Sequence, residues 1–383
     1  MNSPPPLMEM IKALIAAPSV SSVSPRFDMG NLEVSHLLAA WLEELGFRTQ
    51  VIPVIGHRDK ANVIATLGSG DGGLVLSGHS DTVPYDEGRW RFDPFTATVS
   101  EGRIYGLGTS DMKAFLALAV ESARDIRPGS LKRPLTILAT ADEESGMDGA
   151  LQLTPGQIPA GGQCLIGEPT GLVPVRQHKG ILMESIQLQG RSGHSSDPRY
   201  GNSALEGMVR VMDWLLDYRR QLGEQYCNTA FDVPVPTLNL GYIHGGDNPN
   251  RICGACELHL DLRPLPGMEI ESLRETIREN AREIAESRGL DAAFESLCAG
   301  VPAMETPAGA EIVRLAEEAT GTPSAAVAFC TEGPYFNRMG IQTVVLGPGD
   351  IAQAHQPDEF LSLDRIEPTL GILERLIRRL CME

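Results

Sequence analysis

No stretch of about 18 apolar residues, the length a helix needs to cross a bilayer, occurs in this sequence, so no helical membrane span is expected. Positive charge is scarce: 32 Lys and Arg stand against 50 Asp and Glu, a net charge of −18. Such a surface repels phosphate backbones and anionic headgroups, which argues against nucleic acid and membranes as partners. Cysteine is sparse and odd in number, seven in 383 residues, which fits reduced thiols in a cytoplasm better than a disulfide framework. Cys253 and Cys256 form a C-x-x-C, but no second pair lies at zinc-finger spacing. They fall in a strand-like segment, so buried structural thiols are expected. The start, Met1 to Leu7, is proline-rich and lacks a basic region followed by an apolar one, so no secretory signal is expected. The glycine-bearing loop Tyr105 to Asp111 has neither G-K-[ST] nor G-x-G-x-x-G, which excludes a phosphate loop. Internal repeats and low-complexity segments are lacking too.

What is present is an alternation of strands and helices. Apolar spacing predicts helices over 7–17 and 31–45, the second stopping at Gly46, then strands over 47–54, 61–67 and 73–78. A helix is expected over 113–124 and strands over 135–141 and 164–167. The texture changes near Val175. Amphipathic helices at about 202–222 and 268–288 flank strands near 181–190, 236–242 and 252–263, as in a separate α+β unit. The first character then returns, with a helix over 309–319, strands over 325–329 and 342–346, and a last helix from about 364. The expectation is an α/β domain, residues 1–175 and 293–383, with residues 176–292 inserted. Ligands of such sheets bind beyond the carboxyl ends of the strands.

His79, Asp81, Asp111, Glu143, Glu144, Glu168 and His355 fall at such ends or in the adjoining loops. Residues 79 and 81 can share a face at the end of a strand, supplying an imidazole and a carboxylate that fixes its tautomer. Two histidines and several carboxylates suit two borderline ions such as zinc or cobalt, with one carboxylate shared between them. Glu143 and Glu144, if extended, face opposite ways, so one can be a ligand and the other can face a reacting water. Water on zinc has its pKa lowered to about 7, and a nearby carboxylate can take its proton. Plain alternatives exist for each. Asp111 could cap the following helix, Glu143 and Glu144 could be solvated turn charges, and His355 a surface residue.

The segments Ser77–Pro84, Tyr105–Lys113, Ala141–Glu144 and Gly167–Thr170 resemble the co-catalytic zinc aminoacylase and carboxypeptidase-type family. Further matches are Val175–Gly180, Gly193–Pro198, Pro236–Gly241, His244–Asp247, Asn250–Cys253, Asp261–Gly267 and Ala354–Glu359, so the resemblance spans essentially the whole chain. It implies a mixed-sheet α/β zinc-hydrolase catalytic domain with an inserted α+β lid and dimerisation domain, and a homodimer formed through residues 176–292. It also implies two divalent ions, Zn2+ or Co2+, and a small N-acylated amino acid as substrate. In this pattern Asp111 bridges the ions, His79 and Glu168 complete one site, and Glu144 and His355 the other. Glu143 matches the general base and Asp81 the carboxylate behind His79. The peptide after Asp111 is expected to be cis. His194 matches a histidine that reaches into the partner's site and steadies the oxyanion. Asn250 and Arg263 match contacts to the intermediate and to the substrate's α-carboxylate, and Thr331 a substrate-facing loop. Relatives often carry aspartate after that threonine, so Glu332-Gly333-Pro334 is a departure that leaves side-chain specificity open.

Overall fold

A computed structural model describes residues 3–383. The chain divides into two compact units. The first runs to Arg176 and takes up the chain again over Thr306–Ala325 and Thr331–Glu383; the second is Gln177–Glu305 with Ala326–Cys330. The insertion therefore runs to Glu305 rather than to the expected 292. The reason is the strand Asp291–Ser296, which pairs antiparallel with Leu182–Gln189 in the sheet of the second unit.

The sheet of the first unit is mixed. From one edge it runs Arg48–Pro53, Ala61–Leu67, Leu135–Thr140, Leu74–His79, Gln163–Ile166 and Gln342–Val345. The last four strands are parallel, whereas the first two pair antiparallel. Leu74–His79 and Leu135–Thr140 are buried along their whole length, as expected of strands covered on both faces. Helices Leu7–Ala16, Leu32–Glu44, Lys113–Ser122, Glu311–Thr320 and Ile366–Ile377 supply the covering layers. Leu7–Ala16 shows why these segments become helices: Met10, Ile11, Leu14 and Ile15 form one buried stripe. Leu32–Glu44 stops before Gly46, whose φ of 85° is left-handed.

Helix Lys113–Ser122 is buried almost all round, and its Phe115 ring lies against Gly167. A methyl group at Gly167 would come within 2.1 Å of that ring, so the backbone reaches Glu168 past a spot where a side chain has no room. A small antiparallel sheet of Thr98–Ser100, Arg103–Tyr105 and Phe360–Ser362 was not expected from the sequence; its strands are too short to carry a pattern.

The second unit has four antiparallel strands in the order Thr237–Gly245, Ala255–Arg263, Leu182–Gln189, Asp291–Ser296, with helices Ala204–Gln225 and Ile270–Ser287 packed on them. Cys253 lies just before its strand and Cys256 within it; both are buried and free, so the thiol reading needs only that shift.

Gly167→Ala is expected to cost about 1–3 kcal/mol by overpacking. A urea titration would show a lower midpoint, partly restored by Phe115→Leu. An unchanged midpoint would contradict the close approach.

Candidate metal and catalytic centre

His79 ends a parallel strand, Glu143 and Glu144 follow Leu135–Thr140, Glu168 follows Gln163–Ile166, and His355 lies in the loop after Gln342–Val345. Parallel alignment gathers these ends on one side of the sheet. Asp111 stands at their centre. Its Oδ1 is 3.1 Å from His79 Nε2, and its Oδ2 is 3.4 Å from His355 Nε2. His355 Nε2 is 3.1 Å from Glu144 Oε2, and His79 Nε2 is 3.9 Å from Glu168 Oε1. Candidate ligand atoms of His79, Asp111 and Glu144 lie within 4.8 Å of one another, as do those of His79, Glu143 and Glu168.

The plain reading of Asp111 as a helix cap does not hold: the cap position is Met112, without a side-chain cap bond, and the Asp111–Met112 peptide is cis. Asp111 is instead presented by a loop that Glu359 holds. Glu359 Oε1 accepts the amides of Ser110 at 2.7 Å and Asp111 at 3.0 Å, and Oε2 that of Gly108 at 3.1 Å. The sequence pattern assigns Glu359 no role, although it lies four residues beyond His355 in the segment Ala354–Glu359.

Two expectations change in detail. Glu143 and Glu144 are not extended. They sit in a turn after Asp142, whose φ is 64°, so it is the turn that gives them different neighbours. Asp81 does not grip His79 directly either. The ring Nδ1 is 3.0 Å from the backbone carbonyl of Asp81 and 3.7 Å from its Oδ1. Oδ2 of Asp81 accepts the amide of Glu144 at 3.1 Å, so this residue ties the histidine strand to the glutamate turn.

Electrostatics follow from so much buried charge. Burial opposes protonation of His79, but its hydrogen bond to Asp111 and the nearby charges of Glu168, Glu143 and Asp81 raise its pKa well above the usual value. His355 is pushed up to about 10 by hydrogen bonds to Asp111 and Glu144. Burial raises Glu143 and Glu168 well above ordinary carboxylates, helped by the charge of Glu168 beside the first and of Asp111 beside the second. Asp111 goes the other way: against burial, its bonds to the two histidines hold it ionised. Glu332, a residue the sequence reading left without a role, is buried beside Thr140, and burial pushes it up to about 7.

The donor set fits divalent metal. Glu168 Oε1 and Asp81 Oδ1 are buried without a hydrogen-bond partner, and the two histidine nitrogens each lie near a different oxygen of Asp111. A third group, His57, Asp142 and Asp148, also has ligand-like spacing. There the Lys60 ammonium already sits on Asp142, and His57 pairs with Asp148 at 2.8 Å.

The remaining expected residues lie apart from this cluster in the chain. Thr331 is buried, and its Oγ1 accepts the amide of Gly333 at 3.1 Å, at the start of helix Gly333–Arg338. In the second unit His194 is exposed, its Nδ1 accepting the amide of Ser196 at 3.1 Å. The Asn250 carbonyl accepts the amide of Ser195 at 3.0 Å. Arg263 is forked onto Asp261, at 2.8 and 3.1 Å.

Residues 75–379 match the model of peptidase family M20/M25/M40. The chain is 45% identical over 381 residues to an acetylornithine deacetylase of Pasteurella multocida (strain Pm70), covering 100% of both chains. It is 47% identical over 377 residues to an acetylornithine deacetylase of Edwardsiella ictaluri (strain 93-146), covering 98% of both. Among solved structures, a Staphylococcus aureus tripeptidase superposes with a TM-score of 0.76 at 21% identity, covering 97% of each chain. YXEP of Bacillus subtilis, described as a dinuclear metal-binding peptidase of the M20 family, does so with a TM-score of 0.66 at 16% identity, covering 98% of this chain and 97% of that one. With the strand-end cluster intact and the match extending over most of its length, this chain belongs to peptidase family M20/M25/M40.

Proposed function

We propose that this protein is a two-metal amidohydrolase that removes the acetyl group of N2-acetyl-L-ornithine, giving L-ornithine and acetate. The observation that carries the chemistry is the sharing of Asp111 between His79 and His355, with Glu168 beside the first and Glu144 beside the second. The full-length likeness to two acetylornithine deacetylases favours the substrate. Two ions are favoured over one because the two Asp111 oxygens face different histidines, and the Bacillus subtilis neighbour is dinuclear by its description. His79, Asp111 and Glu168 would hold one ion; His355, Asp111 and Glu144 the other. Zinc fits this borderline N and O set, as does cobalt.

When bound, the ions would polarise the acyl carbonyl and make water acidic near neutrality. Glu143 is left over once the ligands are assigned. Its carboxylate lies within the His79 and Glu168 group, close enough to take a proton from attacking water and hand it to the leaving amine. Its raised affinity for protons suits the second step. By resemblance, Asn250 and Arg263 would hold the substrate's carboxylate, which requires Arg263 to exchange Asp261 for substrate; an arginine fork suits either. His194 would donate to the oxyanion in a partner subunit, and its exposure is compatible with that reach.

A second copy of the chain is the expected partner. Leu205, Val209 and Leu216 are exposed on helix Ala204–Gln225, and Tyr242 and Ile243 on the edge strand Thr237–Gly245. An apolar edge strand beside an apolar helix face favours burial against a copy of itself. Val209→Glu should then convert a dimer to a 41.3 kDa monomer in sedimentation; a monomeric unaltered protein would sink the dimer.

Metal binding should release protons. Both histidines hold protons more tightly than a free imidazole because carboxylates face them, and ligation requires the neutral rings. Zinc titrations by calorimetry in buffers of different ionisation enthalpy should show net release of protons, with apparent affinity rising with pH. Binding without release would remove His79 and His355 from the ligand set.

The deciving experiment for the substrate is turnover of the zinc- or cobalt-loaded protein on N2-acetyl-L-ornithine, N-acetyl-L-citrulline and N-succinyl-diaminopimelate. A kcat/KM at least about tenfold higher for the first, about 1.4 kcal/mol, is expected. Glu143→Ala should lose about 10²–10⁴-fold in kcat while keeping its metals. Another winner would overturn the named substrate, and unaltered turnover in Glu143→Ala would overturn the base.

A further inference from the structure

The turn bearing Glu143 and Glu144 is anchored by charged groups outside the metal centre. Asp142, the residue before the two glutamates, is 3% exposed. Its Oδ1 accepts from Ser21 Oγ at 2.7 Å, from Ser145 Oγ at 3.0 Å and from the Lys60 ammonium. Its Oδ2 accepts the amide of Gly146 at 3.1 Å. Its carbonyl accepts the amides of Gly146 at 3.1 Å and Met147 at 2.6 Å. Lys60 is buried as well, and its Nζ also reaches Asp28 Oδ1 at 2.7 Å and Ser21 Oγ at 3.1 Å. Its three protons thus have three acceptors. Ser21 is itself fixed, its amide donating to the Thr82 carbonyl at 2.8 Å.

Three distant pieces of chain, 21–28, residue 60 and 142–146, converge here on one carboxylate. The left-handed backbone of Asp142 is unfavourable for a residue with a side chain and persists only where surrounding bonds over-determine it. A buried ion pair is weak evidence of net stability, because desolvation offsets most of the attraction. What it does supply is a single arrangement. We propose that Lys60 and Asp142 are positioning residues that lock the 142–146 turn and thereby aim Glu143 and Glu144. This rests on the reading of Glu143 as base and Glu144 as ligand.

Lys60→Met, Asp142→Asn, their double variant and Ser21→Ala would be compared with the unaltered protein for kcat, KM, zinc affinity by chelator competition, and Tm. Each charge variant should lower kcat by about tenfold or more, with KM within about threefold, and weaken zinc by about tenfold. Lys60→Met should also lower Tm, since the buried Asp142 loses its cation; Asp142→Asn should lower it less, since Lys60 keeps Asp28. The double variant removes both charges. It should regain most of the lost Tm while kcat and zinc affinity stay low. Recovery of all three together would mean a purely structural pair and would overturn the proposal. So would a folded Asp142→Asn with unaltered kcat and zinc affinity. If the charge variants do not fold, Ser21→Ala decides. A fall in kcat of about threefold at unchanged Tm and KM supports the proposal, and unchanged kcat overturns it. Zinc affinity needs no substrate, so an unaltered protein inactive on every substrate would fail the functional reading while leaving the zinc comparison to judge the turn.

Discussion

The constraint on which the first unit depends is the cost of gathering negative charge away from water. Asp81, Asp111, Glu143, Glu144 and Glu168 crowd the carboxyl ends of four parallel strands, with only His79 and His355 as nearby cations among the ligand candidates. Burial alone would drive such carboxyl groups toward their neutral forms, and it does raise Glu143 and Glu168. Asp111 escapes because both of its oxygens are paired with imidazoles.

Around it the fold supplies rigid supports rather than further reactive groups. Glu359 gathers three amides of the Asp111 loop, Asp81 ties the His79 strand to the glutamate turn, and Lys60 with Asp142 pins that turn from behind. Gly167 lets the chain pass the Phe115 ring on its way to Glu168. Asp111, Glu144 and Glu168 thus reach the centre from backbone held by buried bonds or close packing. That is what chemistry demanding fixed geometry requires.

Much of this was legible in the sequence because its signals are local. Fully apolar strands such as Leu74–His79 and striped helices such as Leu7–Ala16 declare themselves by period, and the histidines and carboxylates fall just after the strands. Strand Asp291–Ser296 escaped notice because its exposed, alternating surface lacks a strong apolar run, and it shifted the end of the inserted unit to Glu305. The extended backbone expected for Glu143 and Glu144 failed because Asp142 adopts a left-handed conformation that its own side-chain bonds impose.

By itself the sequence determined which residue types are available at the strand ends, the α/β character of the first unit and the α+β character of the second. It also determined the excess of negative charge, since each follows from composition or from a short repeat in the pattern. Only the tertiary structure decided which oxygen of Asp111 faces which histidine, that Nδ1 of His79 meets a carbonyl more closely than a carboxylate, and that Glu359, Lys60 and Asp142 support the centre. Those contacts join residues from 2 to 251 positions apart. Where partners so distant in sequence meet is set by how the strands are ordered and packed, and no local pattern records it.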